Sequence, residues 1–425
     1  MTEKIIELLK NSKADAWEVT DKVIEAWEFY FIKHELDQNR VRDVEHIDVK
    51  VYRKLEDGKY LGSASEEISP TATEEEAKKI IADLYERASY VKNPYYELGK
   101  NSAQLKNSDF NPNDMAKDFI EVFNEIPETE SEYINSYEIF AEKIKKRYVN
   151  SEGVDMTATY PNSMVEVVVN ARDDKHEIEL YNMYESGTCD KEALKKEIAL
   201  SLKYGKDRLK TVPTPNLKKT TLLLSTKDTT GIAQWVAMKM HVAMVYRKMS
   251  NWEIGKPICE NVKGDTFTLK SVKELPNSSM NIGMDSEGNV IRDMDIIRDN
   301  IPQNYWGDRQ FSYYMGIKDS FMPNNYELEG GKCSEEELRK GDFLEVVEFS
   351  DFNVDNITGD IAGEIRLGYL HEGDKVTVVS GGSVSGSLPE LIKDIRFSKE
   401  QKQYDNKLGP AVIKIADVTI AGSEQ

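Results

Sequence analysis

The sequence predicts an α+β fold with two domains, and three observations support this prediction. At 425 residues the chain is too long for one ordinary core, so two domains are expected. Segments rich in aromatic and β-branched residues predict strands, and separate segments with apolar residues three or four positions apart predict helices. Prolines within residues 208–217 mark a boundary. We therefore expect a mixed α/β N-terminal domain with an antiparallel sheet and helices over residues 1–212. Residues 213–425 should form a strand-rich C-terminal domain of sandwich or barrel type.

The N-terminal domain shows clear local signals for its elements. Residues 17–52 alternate enough to predict strands, and Asp57-Gly58 predicts the following hairpin turn. Thr73 followed by three glutamates opens a helix, because acidic residues suit the first turn of a helix. The other elements expected here are strands within 133–169, a turn at 150–153, and helices over 113–124 and 191–204.

The stretch from Lys218 to Ser250, near the middle of the chain, is where functional side chains could be presented to a cleft. It predicts a strand, a polar turn and an amphipathic helix near 229–249. The buried stripe of this helix is formed by residues at three- and four-residue steps: Ile232, Trp235, Val242, Val245, Tyr246 and Met249. The helix contains one histidine, His241, and no carboxylate lies between Asp228 and Glu253. Its polar chemistry is therefore sparse.

The second half predicts short strands separated by turn residues. A hairpin turn is expected at Asp285-Ser286-Glu287-Gly288, and the Gly- and Ser-rich segment 381–387 should form a turn whose serines cap a helix at 388–395. The expected strands are 267–272, 290–299, 343–349, 363–370, 375–379 and 411–420.

Composition limits the class of protein. A net charge of −20 disfavours direct nucleic-acid binding through a basic face. Cys189, Cys259 and Cys333 are far apart in the sequence and predict free thiols in a reducing compartment. The N-terminus does not resemble a signal peptide, and no run of about 18 apolar residues predicts a membrane helix. These features together predict a cytoplasmic protein.

The histidines do not form a metal-binding motif. A zinc hydrolase needs two or three protein ligands around an open position, together with a carboxylate base. No two of the five histidines, His34, His46, His176, His241 and His371, lie within five residues of each other. Solvated or packing roles explain each of them better than metal binding, although a site assembled from distant positions remains open. His241 is the candidate ligand on the central helix.

Two further motifs predict turns better than catalysis. GGSVSGS (381–387) fits neither a nucleophile elbow nor a phosphate-binding loop. Asp355, Asp360 and Glu364 do not have the spacing of a calcium loop. The residues alone therefore predict a soluble protein without an assembled catalytic site.

Six segments, in order, resemble the TldD/PmbA family, the so-called modulators of DNA gyrase. They are GKYLGSAS (58–65), VNSEGVDM (149–156), NIGMDSEGNVIRDMDIIRDN (281–300), FNVDNITGDIAGEIRLGYLHEGDK (352–375), VSGGSVSGSLPELIKDI (379–395) and GPAVIKIADVTIAG (409–422). The resemblance covers most of the chain. It implies a relative of zinc peptidases and of their non-catalytic partners.

The resemblance also implies which residues should bind zinc, and here the chain departs from the pattern. Catalytic members of the family carry HExxxH on the mid-chain helix and a cysteine near the C-terminus. Here His241 is followed by Val242, position 246 is Tyr246, and the C-terminal segment KQYDNKLGPAV has no cysteine. No catalytic residue, metal ligand or cofactor is carried over. We expect Trp235, Met238, His241 and Tyr246 to mark a degenerate site, filled where a metal ion would bind.

Three functional hypotheses follow. The first is a non-catalytic subunit similar to the PmbA/TldE branch, which pairs with a TldD-like catalytic subunit and handles unfolded or leader peptides. The second is an active zinc peptidase with a relocated site that uses some of His241, His176, Cys259 or nearby acids. The third is a homo-oligomeric, dimeric for example, peptide-binding scaffold.

Overall fold

The computed structural model describes residues 1–225 and 227–423. Thr226, in the predicted turn before the central helix, lies outside the described residues. So do Glu424 and Gln425, at the end of the predicted C-terminal domain.

The first half of the chain builds one long antiparallel sheet, in the strand order β4-β3-β2-β1-β5-β6-β7. Its strands are β1 (Ala16–Ile32), β2 (Glu35–Leu55), β3 (Tyr60–Ile68), β4 (Asn93–Pro94), β5 (Glu132–Asn150), β6 (Asp155–Arg172) and β7 (Glu177–Ser186). Its helices are α1 (Thr2–Lys10), α2 (Glu74–Arg87), α3 (Pro112–Glu125) and α4 (Lys191–Arg208), with a 3₁₀ turn at Ala88–Tyr90.

Local sequence explains these elements. Asp57 and Gly58 both have positive φ angles, 56° and 84°, in the turn between β2 and β3. At the start of α2, the Thr73 hydroxyl and the Glu76 carboxylate form a reciprocal capping box. Helices α1 and α2 pack on one end of the sheet through a buried cluster that contains Ile5 and Ile81, and α3 and α4 pack on the other end.

The second half contains shorter elements. Its strands are β8 (Val212–Pro213), β9 (Leu217–Leu224), β10 (Leu269–Val272), β11 (Met294–Arg298), β12 (Ile301–Pro302), β13 (Asn325–Leu328), β14 (Phe343–Val354), β15 (Asp360–Glu372), β16 (Lys375–Ser380), β17 (Ser383–Ser387), β18 (Arg396–Phe397), β19 (Gln401–Tyr404), β20 (Lys407–Pro410) and β21 (Ile413–Ala421). Its helices are α5 (Thr229–Met238), α6 (Val242–Tyr246), α7 (Arg309–Tyr314), α8 (Glu335–Leu338) and α9 (Leu388–Leu391), with a 3₁₀ turn at Ile392–Asp394.

Five of these strands close into a barrel. The ring runs β14-β9-β21-β17-β15 and returns to β14, and only the β9–β14 pairing is parallel. A second sheet has the order β12-β11-β10-β13-β20-β19. The two sheets and α5 share one large core, in which Leu222, Trp235, Phe267 and Ile415 are fully or almost fully buried. Because the ring is closed, each of its five strands pairs with a neighbouring strand on both sides.

A turn from the second half packs against the first sheet. Ile282 and Met284 share a buried cluster with Ile144 and Tyr148 of β5. Gly288 lies so close to the Tyr148 ring that a Cβ atom at this position would be 2.2 Å from two ring carbons. The turn and the sheet therefore touch without any intervening side chain at position 288.

The structure confirms the predicted α+β fold, with its antiparallel first sheet and its barrel. The division at residues 212 and 213 stays a prediction, and β8 pairs with β16 in the same sheet as the barrel. Three local expectations are wrong. Ser383–Ser387, expected in a turn, form strand β17. The helix expected near 229–249 is two helices, and Ser387, which precedes α9, makes no capping hydrogen bond with its side chain. No helix of the described chain is long and apolar enough to cross a membrane.

Candidate functional site

The central helix breaks at His241. Helix α5 ends at Met238, and α6 begins at Val242 with His241 as its N-cap, in an extended conformation with φ −69° and ψ 129°. The backbone N–H of Val242 donates to the Trp306 carbonyl over 2.8 Å, and the Trp306 indole N–H donates to the Ala237 carbonyl, also over 2.8 Å. The segment around Trp306 thus supplies the hydrogen bonds that a continuous helix would make internally.

The break separates the four residues of the predicted degenerate site. Trp235 is 1% exposed and Met238 packs against the same core. The side chain of His241 is 15% exposed, whereas Tyr246 is 48% exposed at the end of α6. The expectation that Tyr246 fills an interior space is wrong, because the break turns this residue toward the surface.

His241 lies in a pocket of aromatic and acidic groups. Its ring meets the edge of Trp306 at a centroid distance of 4.6 Å, and its Nε2 atom is 4.0 Å from the Asp308 carboxylate. Burial lowers the pKa of His241, Asp308 acts in the opposite direction, and Arg247 adds to the lowering. The Nδ1 atom accepts the Ala243 N–H over 3.2 Å, which places the proton of the neutral ring on Nε2.

The donor set around His241 does not fit a metal ion. Its Nδ1 lone pair is already used by the Ala243 N–H, and Asp308 is the one acidic group within 4.0 Å of Nε2 among the residues that the structure describes. Across residues 1–225 and 227–423, no three His, Cys, Asp or Glu side chains come together in an arrangement that could hold a metal. A zinc site needs at least three protein ligands. We therefore derive no metal-dependent step for this chain.

A cluster of carboxylates and tyrosines lies next to this pocket, where the 285–288 turn meets the first sheet. The Tyr52 and Tyr148 hydroxyls donate to the two oxygens of Glu18 over 2.9 and 2.8 Å. The Glu287 carboxylate accepts the Arg309 backbone N–H over 2.7 Å. Burial raises the pKa of Glu287 to about 7, and Asp285, Glu18 and Asp308 add to the rise. We call Glu18, Tyr52, Tyr148 and Glu287 the acid–tyrosine cluster.

The raised pKa of Glu287 predicts a pH-dependent stability. The folded protein keeps the proton up to about pH 7, whereas the unfolded chain releases it near 4.5, so this group favours folding less as the pH rises through that interval. Glu287→Gln should therefore raise the free energy of unfolding at pH 8 by roughly 1–3 kcal/mol and change it little at pH 4.5. Denaturant unfolding at both pH values measures this. Glu274→Gln, at an exposed position, is the control, and equal effects of Glu287→Gln at the two pH values would contradict the prediction.

The other histidines have surface or packing partners. His34 pairs with Glu128 and His46 with Glu67, each over 2.8 Å, and His371 stacks on Phe343 at 4.2 Å. His176, the fourth, lies 3.6 Å from Asp173. The structure brings none of them to His241.

The cysteines and the acidic segment also have structural settings. The three cysteines are free, and burial raises the pKa of Cys189 to about 12 and that of Cys259 above its ordinary value. Such thiols are protonated and weakly nucleophilic at neutral pH. Asp355 accepts the backbone N–H groups of Ile357 and Thr358, as expected for a turn residue.

Two open clefts lie away from His241. One, of about 460 Å³, is lined by residues including Glu28, Arg40, Arg42 and Glu142, whose side chains bind one another. The other, of about 590 Å³, lies beside Cys189. The charged groups of the first cleft are largely paired with each other, so it has no evident reactive group.

Sequence reasoning missed Asp308, Glu287 and Glu18 as members of one region. The sequence predicts a turn at DSEG (285–288), but the contact of this turn with β5 is a tertiary feature that no local spacing encodes. Residues 229–249 contain neither asparagine nor proline, so the sequence does not predict the break at His241. Its cause lies in the Trp306 segment.

The comparisons agree with this architecture. Residues 218–422 match the family model described as the PmbA/TldA metallopeptidase C-terminal domain. No curated protein sequence matches the chain. The fold is similar to TldE from Thermococcus kodakarensis, with a TM-score of 0.77 and 16% identity, over 99% of this chain and 100% of that one.

Two further solved structures share the fold. A putative modulator of a DNA gyrase from Thermotoga maritima matches with a TM-score of 0.75, and one from Bacteroides thetaiotaomicron matches with 0.77. Each is 16% identical and covers 99% of this chain and 98% of its own. Residues 218–422, which contain the barrel, therefore form a domain related to metallopeptidases. Over its whole length the chain shares its fold with these three structures, and residues 218–422 match the C-terminal domain model of the PmbA/TldD family.

Proposed function

We propose that this chain is a non-catalytic, PmbA/TldE-like subunit of a TldD-type peptide-processing metalloprotease complex. One observation carries the proposal: the family's metallopeptidase domain is present, but the donor set at His241 does not fit a metal ion. In this proposal the partner is a TldD-like catalytic subunit that bears HExxxH, the substrates are unfolded or leader peptides, and the complex acts in the cytoplasm.

The structure of the site supports this role over a relocated zinc site. The second hypothesis needs His241, His176, Cys259 or nearby acids to converge, and His176 is an exposed residue that pairs with Asp173. The third hypothesis, a peptide-binding homodimer, also assumes that this chain has no catalytic site. It differs from the proposal only in the partner, which is a second copy of this chain.

Metal content and partner binding test the proposal together. We expect the purified chain, equilibrated with equimolar zinc and then dialysed, to retain no stoichiometric zinc by mass spectrometry of the metal. Native mass spectrometry should show a complex when the chain is co-expressed with a HExxxH-bearing relative from the same genome. Peptide cleavage should occur only with the relative present.

The control separates the two subunits. His241→Ala in this chain should leave cleavage by the complex unchanged, because the proposal places the catalytic metal in the HExxxH-bearing relative. Replacing the motif glutamate of the relative should abolish cleavage. Stoichiometric zinc that disappears on His241→Ala would refute the proposal, and a homodimer that ignores the relative would support the scaffold instead.

A further inference from the structure

A cluster of aromatic side chains emerges on the surface directly beyond His241. We call Tyr95, Tyr246, Phe311, Tyr313 and Tyr314 the aromatic surface. The Tyr246 ring lies 5.4 Å from Phe311 and 5.5 Å from Tyr314, and Tyr95 meets Tyr313 edge-on at 6.1 Å. Tyr246 and Tyr313 are 48% and 42% exposed. Large aromatic side chains exposed together are typical of binding surfaces.

The aromatic surface is held in place from below. The Tyr314 hydroxyl donates to the Pro94 carbonyl over 2.5 Å and accepts from the Gln310 amide over 3.2 Å. Its ring also meets the buried Tyr96 edge-on at 6.3 Å. Helix α7 is capped by Asp308, whose carboxylate accepts the Phe311 N–H over 2.9 Å. The Tyr314 ring and the start of the helix that carries Phe311 and Tyr313 are thus held in place before a ligand binds, which reduces the entropy lost on binding.

The surface carries positive charge on a strongly negative chain. The Arg247 guanidinium lies 4.7 Å from the centroid of the Phe311 ring, and the Lys54 ammonium lies 5.9 Å from that of Tyr95. Lys248 is exposed beside Arg247. Within the described part of the chain, neither Arg247 nor Lys248 has an ion-pair partner, although the net charge of the chain is −20.

Four acidic residues close in sequence to this surface have partners, including Asp319, which accepts the Asn101 amide over 2.9 Å. Glu253 pairs with Lys256 over 2.6 Å, and Glu97 pairs with Lys100 over 2.9 Å. Asp308 caps α7 and faces His241. The two cations therefore remain available for carboxylates from outside the chain.

We propose that the aromatic surface, with Arg247 and Lys248, binds an acidic segment of unfolded polypeptide that also carries aromatic or aliphatic side chains. Carboxylates of the segment pair with the two cations, and its apolar side chains pack on Tyr246 and Tyr313. This inference names a substrate class and rests on the proposed role in peptide processing. A basic segment binds more weakly, because the same two cations repel it.

Fluorescence anisotropy with the full isolated chain tests the inference. The probes are a labelled peptide that alternates glutamate with tyrosine and leucine, and a counterpart with lysine in place of glutamate. We expect the acidic peptide to bind more tightly, and added salt to weaken its binding. Arg247→Glu/Lys248→Glu should weaken it by about tenfold or more, and Tyr246→Ala should weaken it at any salt concentration.

A matched variant controls for net charge. Lys13→Glu/Lys196→Glu makes the same change in net charge at exposed positions remote in sequence, and it should leave binding nearly unchanged. Equal binding of the two peptides, or equal effects of the two double variants, would overturn the inference. A third result would also overturn it: an Arg247→Glu/Lys248→Glu variant that still binds the peptide but no longer binds the HExxxH-bearing relative. The aromatic surface would then be a docking site for a folded partner. The proposed function fails separately, through stoichiometric zinc or cleavage by the isolated chain.

Discussion

Trp235→Ala is expected to lower the free energy of unfolding by about 3–5 kcal/mol. Trp235 is 1% exposed, meets Trp252 edge-on at 5.4 Å, and packs so tightly on Gly359 that a Cβ atom there would lie 2.8 Å from the indole. Truncation would leave a large cavity between α5 and the barrel. Equilibrium denaturation by urea, followed by circular dichroism, measures the loss.

Tyr246→Ala is the matched control for this prediction. Both residues were expected from the sequence to fill the same interior, but Tyr246 is about half exposed. Its truncation should cost about 1 kcal/mol or less. Similar losses for the two variants would mean that the break at His241 does not separate a core residue from a surface residue.

Gly288→Ala is expected to destabilise the contact between the 285–288 turn and the first sheet by about 2–4 kcal/mol. The residue has φ +69°, which disfavours any side chain, and a new Cβ would lie 2.2 Å from the Tyr148 ring. That ring cannot easily move, because the Tyr148 hydroxyl is bound to Glu18. Thermal unfolding measures the change.

Gly153→Ala separates the cost of the positive φ angle from the cost of the clash with Tyr148. Gly153 also has a positive φ, 93°, but a Cβ there meets nothing within 4 Å. It should cost about 1 kcal/mol, from the backbone conformation alone. If the two alanine variants were equally destabilised, the close packing of Gly288 on Tyr148 would contribute nothing to stability.

The fold could be predicted where its causes are local. Thr73 and the glutamates after it, Glu76 included, predict the start of α2, and Asp57-Gly58 predicts a hairpin turn. Both predictions succeed because capping and turn geometry depend on neighbouring residues. The alternation within 17–52 likewise predicted β1 and β2. The closed ring could not be derived in this way, since pairing of β9 with both β14 and β21 joins segments that are distant in the sequence.

The site could be predicted only in part. The family resemblance implies an HExxxH motif on this segment, and Val242 and Tyr246 stand at two of its positions. The apolar spacing of 229–249 continued across the break, so the sequence predicted one helix. The break depends on hydrogen bonds to Trp306, and the grouping of Glu18 with Glu287 depends on the packing of two sheets. Both are effects of tertiary structure.

The break at His241 has a consequence for attempts to introduce a metal-binding motif into this chain. Val242→Glu with Tyr246→His would restore the letters of HExxxH, but not its geometry. Val242 is fully buried against Gly307, so a glutamate there would bury a charge, while position 246 points its side chain toward solvent. The backbone around His241 therefore opposes the motif as much as the side chains do. A variant that brings positions 241, 242 and 246 to one site would also need a different Trp306 segment, because the Val242 N–H donates to the Trp306 carbonyl and the Trp306 indole donates to the Ala237 carbonyl.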